Sequence, residues 1–322
     1  VKEALTFADV ALVPKFNNIP SRTETDLSTW LTRNIKMDIP LLASNMDTVI
    51  SPELAKILNQ NGSIPIFHRY YSLDEEKELF TRYPSAFFSI GLNDKEHTSQ
   101  LIWMGVKNLI IDVAHGHDIR VLSLIEKLKS EEDDLNIIAG NVCTPEGYND
   151  LVNAGADAVK VGIGPGAACT TRMVTGFGVP QYSALVEIFE VAKRLKIPFI
   201  ADGGIRSSSD VVKCLAAGAA SVMIGRAFAD TAESAARGVY RGQASEQFQV
   251  ERMAGMKKGT VPEGIAIEVF QDRPAQELID MLLGGIRSGL TYGGAKDIEE
   301  LQAKAEWRRV TPNYLPESEP RP

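Results

Sequence analysis

The sequence predicts an α/β protein built as a single (β/α)8 (TIM) barrel, and three observations carry that expectation. Eight short apolar runs recur at roughly even spacing over residues 41–236. They are apolar almost throughout rather than alternating, as parallel strands covered on both faces are. Helix-like stretches follow them, giving the β-then-α order of a parallel sheet. An open doubly wound sheet is the alternative, because a strand count alone does not close a sheet. No GxGxxG follows the first run to favour it.

Residues 1–40, rich in Pro, Ser, Thr and Asn, read as an N-terminal arm or small hairpin closing the barrel bottom. The runs are LLASNM (41–46), SIPIFH (63–68), AFFSIG (86–91), NLIIDV (108–113), NIIAGN (136–141), AVKVGI (158–163), PFIADG (198–203) and SVMIGR (221–226). Helix starts show as Ser51-Pro52-Glu53, Thr144-Pro145-Glu146 and Ser209-Asp210, where a cap precedes Pro or an acidic first turn. Two helices stop at AGA, 154–156 and 217–219, with Gly at the C-terminal end. Residues 237–273 interrupt the last unit with Gly, polar and charged residues and read as a mobile flap after strand eight. Residues 274–290 return to a helical period as the eighth barrel helix. The barrel thus spans 41–300, and 301–322 is a tail whose end reads as unstructured.

With 34 basic and 42 acidic residues the 322-residue chain carries a net charge of −8. That balance argues against a nucleic-acid or anionic-membrane surface, both of which need clustered Lys and Arg. A small anionic ligand then needs its own local positive groups. No run of 18 apolar residues spans a membrane, and VKEALTFADV lacks the flank and apolar stretch of a secretory signal, so the expected setting is the cytoplasm. Cys143, Cys169 and Cys214 have no CxxC spacing, against a disulfide framework or zinc site.

Barrel chemistry sits at the C-terminal ends of the strands. The sharpest element there is GIGPGAACTTR, residues 162–172, a loop whose glycines and proline expose backbone N–H groups and which holds Cys169. A thiol near such dipoles and a hydroxyl such as Thr171 can act as a nucleophile; the competing reading is a turn with a small buried hydrophobe. Cys143 and Cys214 lack that setting. Asp202-Gly203-Gly204 and Gly225-Arg226 follow strands seven and eight, where such barrels often hold phosphate, with Asp202 placed for a sugar diol and Arg226 for an anion. The competing readings are a helix cap and a solvated arginine. Asp112 either holds a cofactor group or is a buried, hydrogen-bonded carboxylate. HGH at 115–117 lacks a third clustered ligand, so no metal site is expected. In the flap, Glu263 beside Gly264 is a candidate acid or base, and Lys257 and Lys258 read as readily solvated.

Together NMDT (45–48), DVAHGH (112–117), AGNV (139–142), VGIGPGAACTTR (161–172), TGFGVPQ (175–181), ADGGIRSSSDVVK (201–213), EG (263–264) and GGIRSGLTYGGA (284–295) resemble the family of inosine monophosphate dehydrogenase and GMP reductase. The resemblance covers nearly the whole chain. It implies a (β/α)8 barrel, usually tetrameric, acting at C2 of a purine nucleotide with a nicotinamide cofactor. Cys169 would be the nucleophile, with Thr171 and Glu263 moving protons. Substrate would meet Asp202, Gly203, Gly204, Gly225, Arg226, Gly166, Ala167 and Asn45. The cofactor side would hold Asp112, Arg69, Gly162 and Gly164, and a monovalent cation is implied near the 162–169 loop.

The reductase branch is the closer one. No regulatory insert fits between His68 and Phe87, the flap sequence ASEQFQ (244–249) lacks the dehydrogenase's Arg-Tyr pair, and NMDT is similar to the reductase motif. The implied activity is NADPH-dependent deamination of GMP to IMP. The alternatives are an NAD-dependent IMP dehydrogenase and a barrel that binds purine nucleotides without turnover. Ala167 and Arg226 depart from the family pattern, which has Ser at the first position and Gly or Ser at the second. VPEGI and ADGGIRSS look at least as much like bacterial dehydrogenases.

Overall fold

A computed structural model describes residues 1–252, 255 and 259–320. After a short strand β1 (Val10–Leu12), strands β2 (Thr29–Thr32) and β3 (Ile35–Met37) form an antiparallel hairpin. The barrel strands follow in order: β4 (Leu41–Ala43), β5 (Ile66–Phe67), β6 (Phe87–Ile90), β7 (Asn108–Asp112), β8 (Asn136–Val142), β9 (Ala158–Val161), β10 (Phe199–Asp202) and β11 (Ser221–Ile224). All are parallel, in the order β4-β11-β10-β9-β8-β7-β6-β5. The two ends of that ladder, β4 and β5, are tied by Ser63 Oγ, which donates to the Leu41 carbonyl at 2.6 Å. Each of the eight apolar runs thus contains a strand, and the open sheet is excluded.

The strand interior is packed rather than hollow. Leu42, Ile66, Phe87, Ile110, Ile138, Ala158, Ile200 and Met223 form one buried cluster with Leu31 and Met37 of the hairpin. The hairpin lies under the barrel at the N-terminal strand ends: Arg33 N–H donates to the Asp157 carbonyl and Thr29 Oγ1 to that of Ala220. The outer faces of the strands meet the helices in a second, larger cluster, which is why the runs show no alternation.

Ser51 and Thr144 cap their helices as expected, accepting from Leu54 N–H and Gly147 N–H. The third start is two residues earlier than expected. Ser207, not Ser209, is the cap of helix Ser208–Ala216, because Asp210 then stands at the third helical position, where its carboxylate accepts from Arg206 N–H. Gly155 and Gly218 adopt φ of +114° and +105°, and a Cβ at Gly218 would sit 2.1 Å from the Phe189 ring. After β11, strands β12 (Val239–Arg241) and β13 (Ala266–Glu268) pair antiparallel and frame the helix Glu246–Arg252. Lys257 and Lys258 lie outside the described residues. The eighth helix runs Ala275–Tyr292. The tail is more ordered than its composition predicts, since β14 (Trp307–Arg309) pairs with β1 and a helical turn follows at Tyr314–Ser318.

Candidate active site

At the C-terminal end of the barrel a cleft of about 730 Å³ opens among the loops that follow the strands. Of the sequence-predicted residues, Cys169, Thr171, Glu263, Asp202, Gly203, Gly204, Gly225, Arg226, Gly162, Gly164, Gly166, Ala167, Asp112 and Arg69 all line it. Asn45 does not. Its side chain is buried and donates to Ser89 Oγ at 2.8 Å, while its carbonyl accepts from Gln243.

Cys169 is half-buried at the tip of the glycine loop. Its Sγ donates to Thr171 Oγ1 at 3.3 Å, and Thr171 Oγ1 donates to Glu263 Oε2 at 2.8 Å. A thiol, a hydroxyl and a carboxylate therefore stand in line. Backbone bonds clamp the flap onto the loop at this point: Thr170 N–H donates to the Glu263 carbonyl, Ile265 N–H to that of Ala168, and Gly242 N–H to that of Ile265. The approach is close at Gly242, where a Cβ would stand 3.2 Å from the Ala168 carbonyl oxygen. The other two thiols are differently placed. Cys214 is fully buried and Cys143 half-buried, and burial raises both thiol pKa values.

One wall holds a buried ionic cluster that the sequence reading missed. Lys160 Nζ lies 2.7 Å from Asp202 Oδ2 and 3.1 Å from Asp112 Oδ1. Asn141 Nδ2 donates to the same Asp202 oxygen and to the Gly162 carbonyl. Burial works against the ammonium, yet the two carboxylates outweigh it and raise the Lys160 pKa. Asp202 is thereby fixed with Oδ2 turned inward, and the cap role is excluded for it. The clue was a lysine inside the apolar run AVKVGI. Gly162 completes the wall at φ +149°, where a Cβ would fall 2.1 Å from the Asp202 carbonyl oxygen.

The far end of the cleft is built from Gly203, Gly204, Gly225 and the Tyr240 hydroxyl, a group brought in by β12 that no local motif announces. A Cβ at Gly225 would stand 2.7 Å from that hydroxyl oxygen. Arg226 sits beside it, its Nε 3.0 Å from Asp230 Oδ2 and its Nη2 donating to the Glu268 carbonyl. Glycine backbone, a phenol and a guanidinium make this end suited to an anion.

Arg69 and Tyr70 line the same cleft as Asp112. Arg69 Nη1 pairs with Asp94 at 3.2 Å and Nε donates to the Tyr70 hydroxyl oxygen. Asn141 Oδ1 is buried with no partner among the described residues, an acceptor suited to an amide N–H. An aromatic face, a cation and a free amide acceptor fit a nicotinamide dinucleotide. Around the loop where the resemblance implies a monovalent cation, the carbonyls of Gly162, Ile163, Gly166 and Ala168 each accept a protein N–H donor, that of Ile163 from the Arg172 guanidinium, and keep a second lone pair. Among the described residues no three His, Cys, Asp or Glu side chains converge as metal ligands. His117 instead meets Asp150 at 2.9 Å. No helix of the described residues is long and apolar enough to cross a membrane.

The flap is anchored at its base by charge. Arg241 Nη2 lies 2.9 Å from buried Asp47 and 3.0 Å from Glu251, and Arg252 reaches Asp47 at 3.3 Å.

Comparison with known proteins matches residues 4–321 to the model of the IMP dehydrogenase / GMP reductase domain. The inosine-5'-monophosphate dehydrogenase of Borreliella burgdorferi is 35% identical over 395 aligned positions, covering 99% of this chain and 97% of the relative. That of Aquifex aeolicus is 32% identical, covering 97% and 94%. GMP reductase 1 of Mus musculus is 35% identical over 331 positions, covering 96% of each chain.

Proposed function

The chain belongs to the IMP dehydrogenase / GMP reductase family of oxidoreductases of purine nucleotide metabolism, and within it we propose that this protein is a GMP reductase that converts GMP to IMP and ammonia with NADPH. The observation that carries the reading is the Cys169–Thr171–Glu263 line joined to a flap segment, 244–249, without an Arg-Tyr pair. The line supplies a nucleophile and a proton path, and the flap supplies no pair to activate water against the adduct. Alignment length points the same way: the mouse reductase matches over 331 positions, whereas the dehydrogenases of the two bacteria need 395 and 460.

Cys169 Sγ attacks C2 of GMP. The S–C2 bond forms as the bond from C2 to its exocyclic nitrogen breaks, and the thiol proton travels through Thr171 and Glu263 to that nitrogen, which leaves as ammonia. Splitting one difficult displacement into two steps is the benefit of the covalent adduct. Arg69, Tyr70 and Asp112 would hold a nicotinamide dinucleotide, which when bound would supply the hydride that C2 takes up. As C2 becomes C–H the C2–S bond breaks, the Cys169 thiolate takes a proton from solvent and IMP is released. Asp202 holds the ribose hydroxyls, and Gly203, Gly204, Gly225 and Arg226 surround the phosphate, with Tyr240 added from the flap. Gly166 and Ala167 shape the loop against the purine, while Asn45, buried on Ser89, holds Gln243 of the flap through its carbonyl. Assembly as a homotetramer in the cytoplasm belongs to the same reading.

The test is a pair of assays run side by side. GMP with NADPH should consume the reduced cofactor, and IMP with NAD should produce none. NADH formation from IMP without turnover of GMP identifies the dehydrogenase instead, and binding without turnover of either pair identifies a non-catalytic barrel.

A further inference from the structure

A second cleft, of about 390 Å³, lies on the outer helical layer between helices Ser208–Ala216 and Ala275–Tyr292, with Lys15 and Tyr314 among its walls. Its size falls within the range of about 300–1,000 Å³ typical of small-molecule sites. The two helices already touch beneath it, since a Cβ at Gly289 would stand 2.6 Å from Val212.

The charges around it are one-sided. Lys15, Lys213 and Lys304 line the cleft and no acidic side chain does, although the chain as a whole carries −8. Lys15 and Lys304 meet Glu306 and Glu300, which stand outside the lining. Lys213 has no carboxylate at ion-pair distance among the described residues; its ammonium lies 6.0 Å from the centroid of the Tyr314 ring. The lysine is only 8% exposed, and its ammonium donates at 2.8 Å to the Phe7 carbonyl. An ammonium has three donors, and burying one without a counter-charge is costly. The remaining walls are apolar at Val13, Val212 and Leu301, with hydroxyls at Ser208 and Ser288.

We propose that this cleft is a binding site for a small amphipathic organic anion, its headgroup on the Lys213 ammonium and its hydrocarbon body against Val13, Val212 and Leu301. Charge complementarity selects the headgroup, and the apolar walls select against a bare inorganic ion. No residue lines both clefts, so the site stands or falls independently of the reductase reading.

The probe is sodium octanoate, titrated calorimetrically into the full chain, with octanol as the uncharged counterpart. Octanoate should bind saturably and octanol at least about tenfold more weakly, the loss expected when a charge-assisted contact is removed. Lys213→Met should weaken octanoate about tenfold, while Lys213→Arg retains binding. If the Met variant does not fold, Lys304→Gln, at a more exposed position, should still weaken octanoate measurably. No saturable binding, equal affinity for octanol, or octanoate affinity unchanged in whichever of these charge-removing variants folds overturns the proposal.

Discussion

Thr171 Oγ1 donates to Glu263 Oε2 at 2.8 Å, joining a strand-end loop to a flap residue 92 positions away. The same oxygen accepts from Cys169 Sγ, so the thiol proton has a directional route to the carboxylate. Neither the loop nor the flap contains the route alone.

Glu263→Gln keeps the shape of the side chain and removes its basicity. It should lower kcat by about 100- to 10,000-fold, the range for a general acid–base group, with a much smaller change in KM. Thr171→Val should act in the same direction, and the double variant should be no worse than the poorer single one. Additive losses in steady-state assays would separate the two residues into independent roles.

Lys160→Met should cost stability rather than only activity. It leaves Asp112 and Asp202 facing one another without the ammonium that lies within 3.1 Å of both. Breaking a buried ion cluster by removing one partner costs about 3–5 kcal/mol. Urea unfolding measures this, and a loss below about 1 kcal/mol would mean that solvent already screens the cluster.

Asp47→Asn weakens the anchor under the flap, since Asp47 holds both Arg241 and Arg252. The expected results are faster proteolytic cleavage within residues 242–264 and a fall in kcat/KM. Unchanged protease sensitivity would show that the backbone bonds to Ala168 hold the flap without it.

His68 sets a pH dependence. Its ring is stacked 4.1 Å from that of Tyr71, and its Nδ1 accepts from Tyr70 N–H. Burial, reinforced by the Arg252 charge, brings its pKa down to about 3 from 6.5. The unfolded chain therefore takes up a proton as pH falls below 6.5, while the folded chain does not until about 3, so stability declines across that interval. His97 works in the opposite sense. Its bond to buried Glu76 raises its pKa, so its contribution is full below 6.5 and is lost as pH rises through the raised value. Thermal melts of His68→Asn should show a flatter acid limb than the parent, and those of His97→Asn a smaller stability difference from the parent at alkaline pH. A parallel shift at all pH values would contradict both assignments.

The strands and the glycine loop were legible in the sequence because their signals are local. An apolar run covered on both faces and a glycine loop holding Cys169 need no knowledge of distant partners. Asp202 was readable as a strand-end residue facing the cleft, but its fixation was not, because Lys160 and Asn141 arrive from two other strands. Tyr240 was missed for the same reason: only the crossing of β12 over the cleft puts its hydroxyl against Gly225. The end of the tail reads as unstructured from its composition, whereas a helical turn forms there at Tyr314–Ser318; upstream of it β14 pairs with β1, about 300 positions earlier.

The most direct measurement is intact-protein mass spectrometry after mixing the protein with GMP alone, without cofactor, and quenching in acid. Covalent attack predicts a mass increase equal to GMP less ammonia, located on the peptide containing Cys169 and lost in Cys169→Ala. A Cys169 that stays unmodified under GMP, with an adduct formed only from IMP and NAD together, would contradict the reductase assignment.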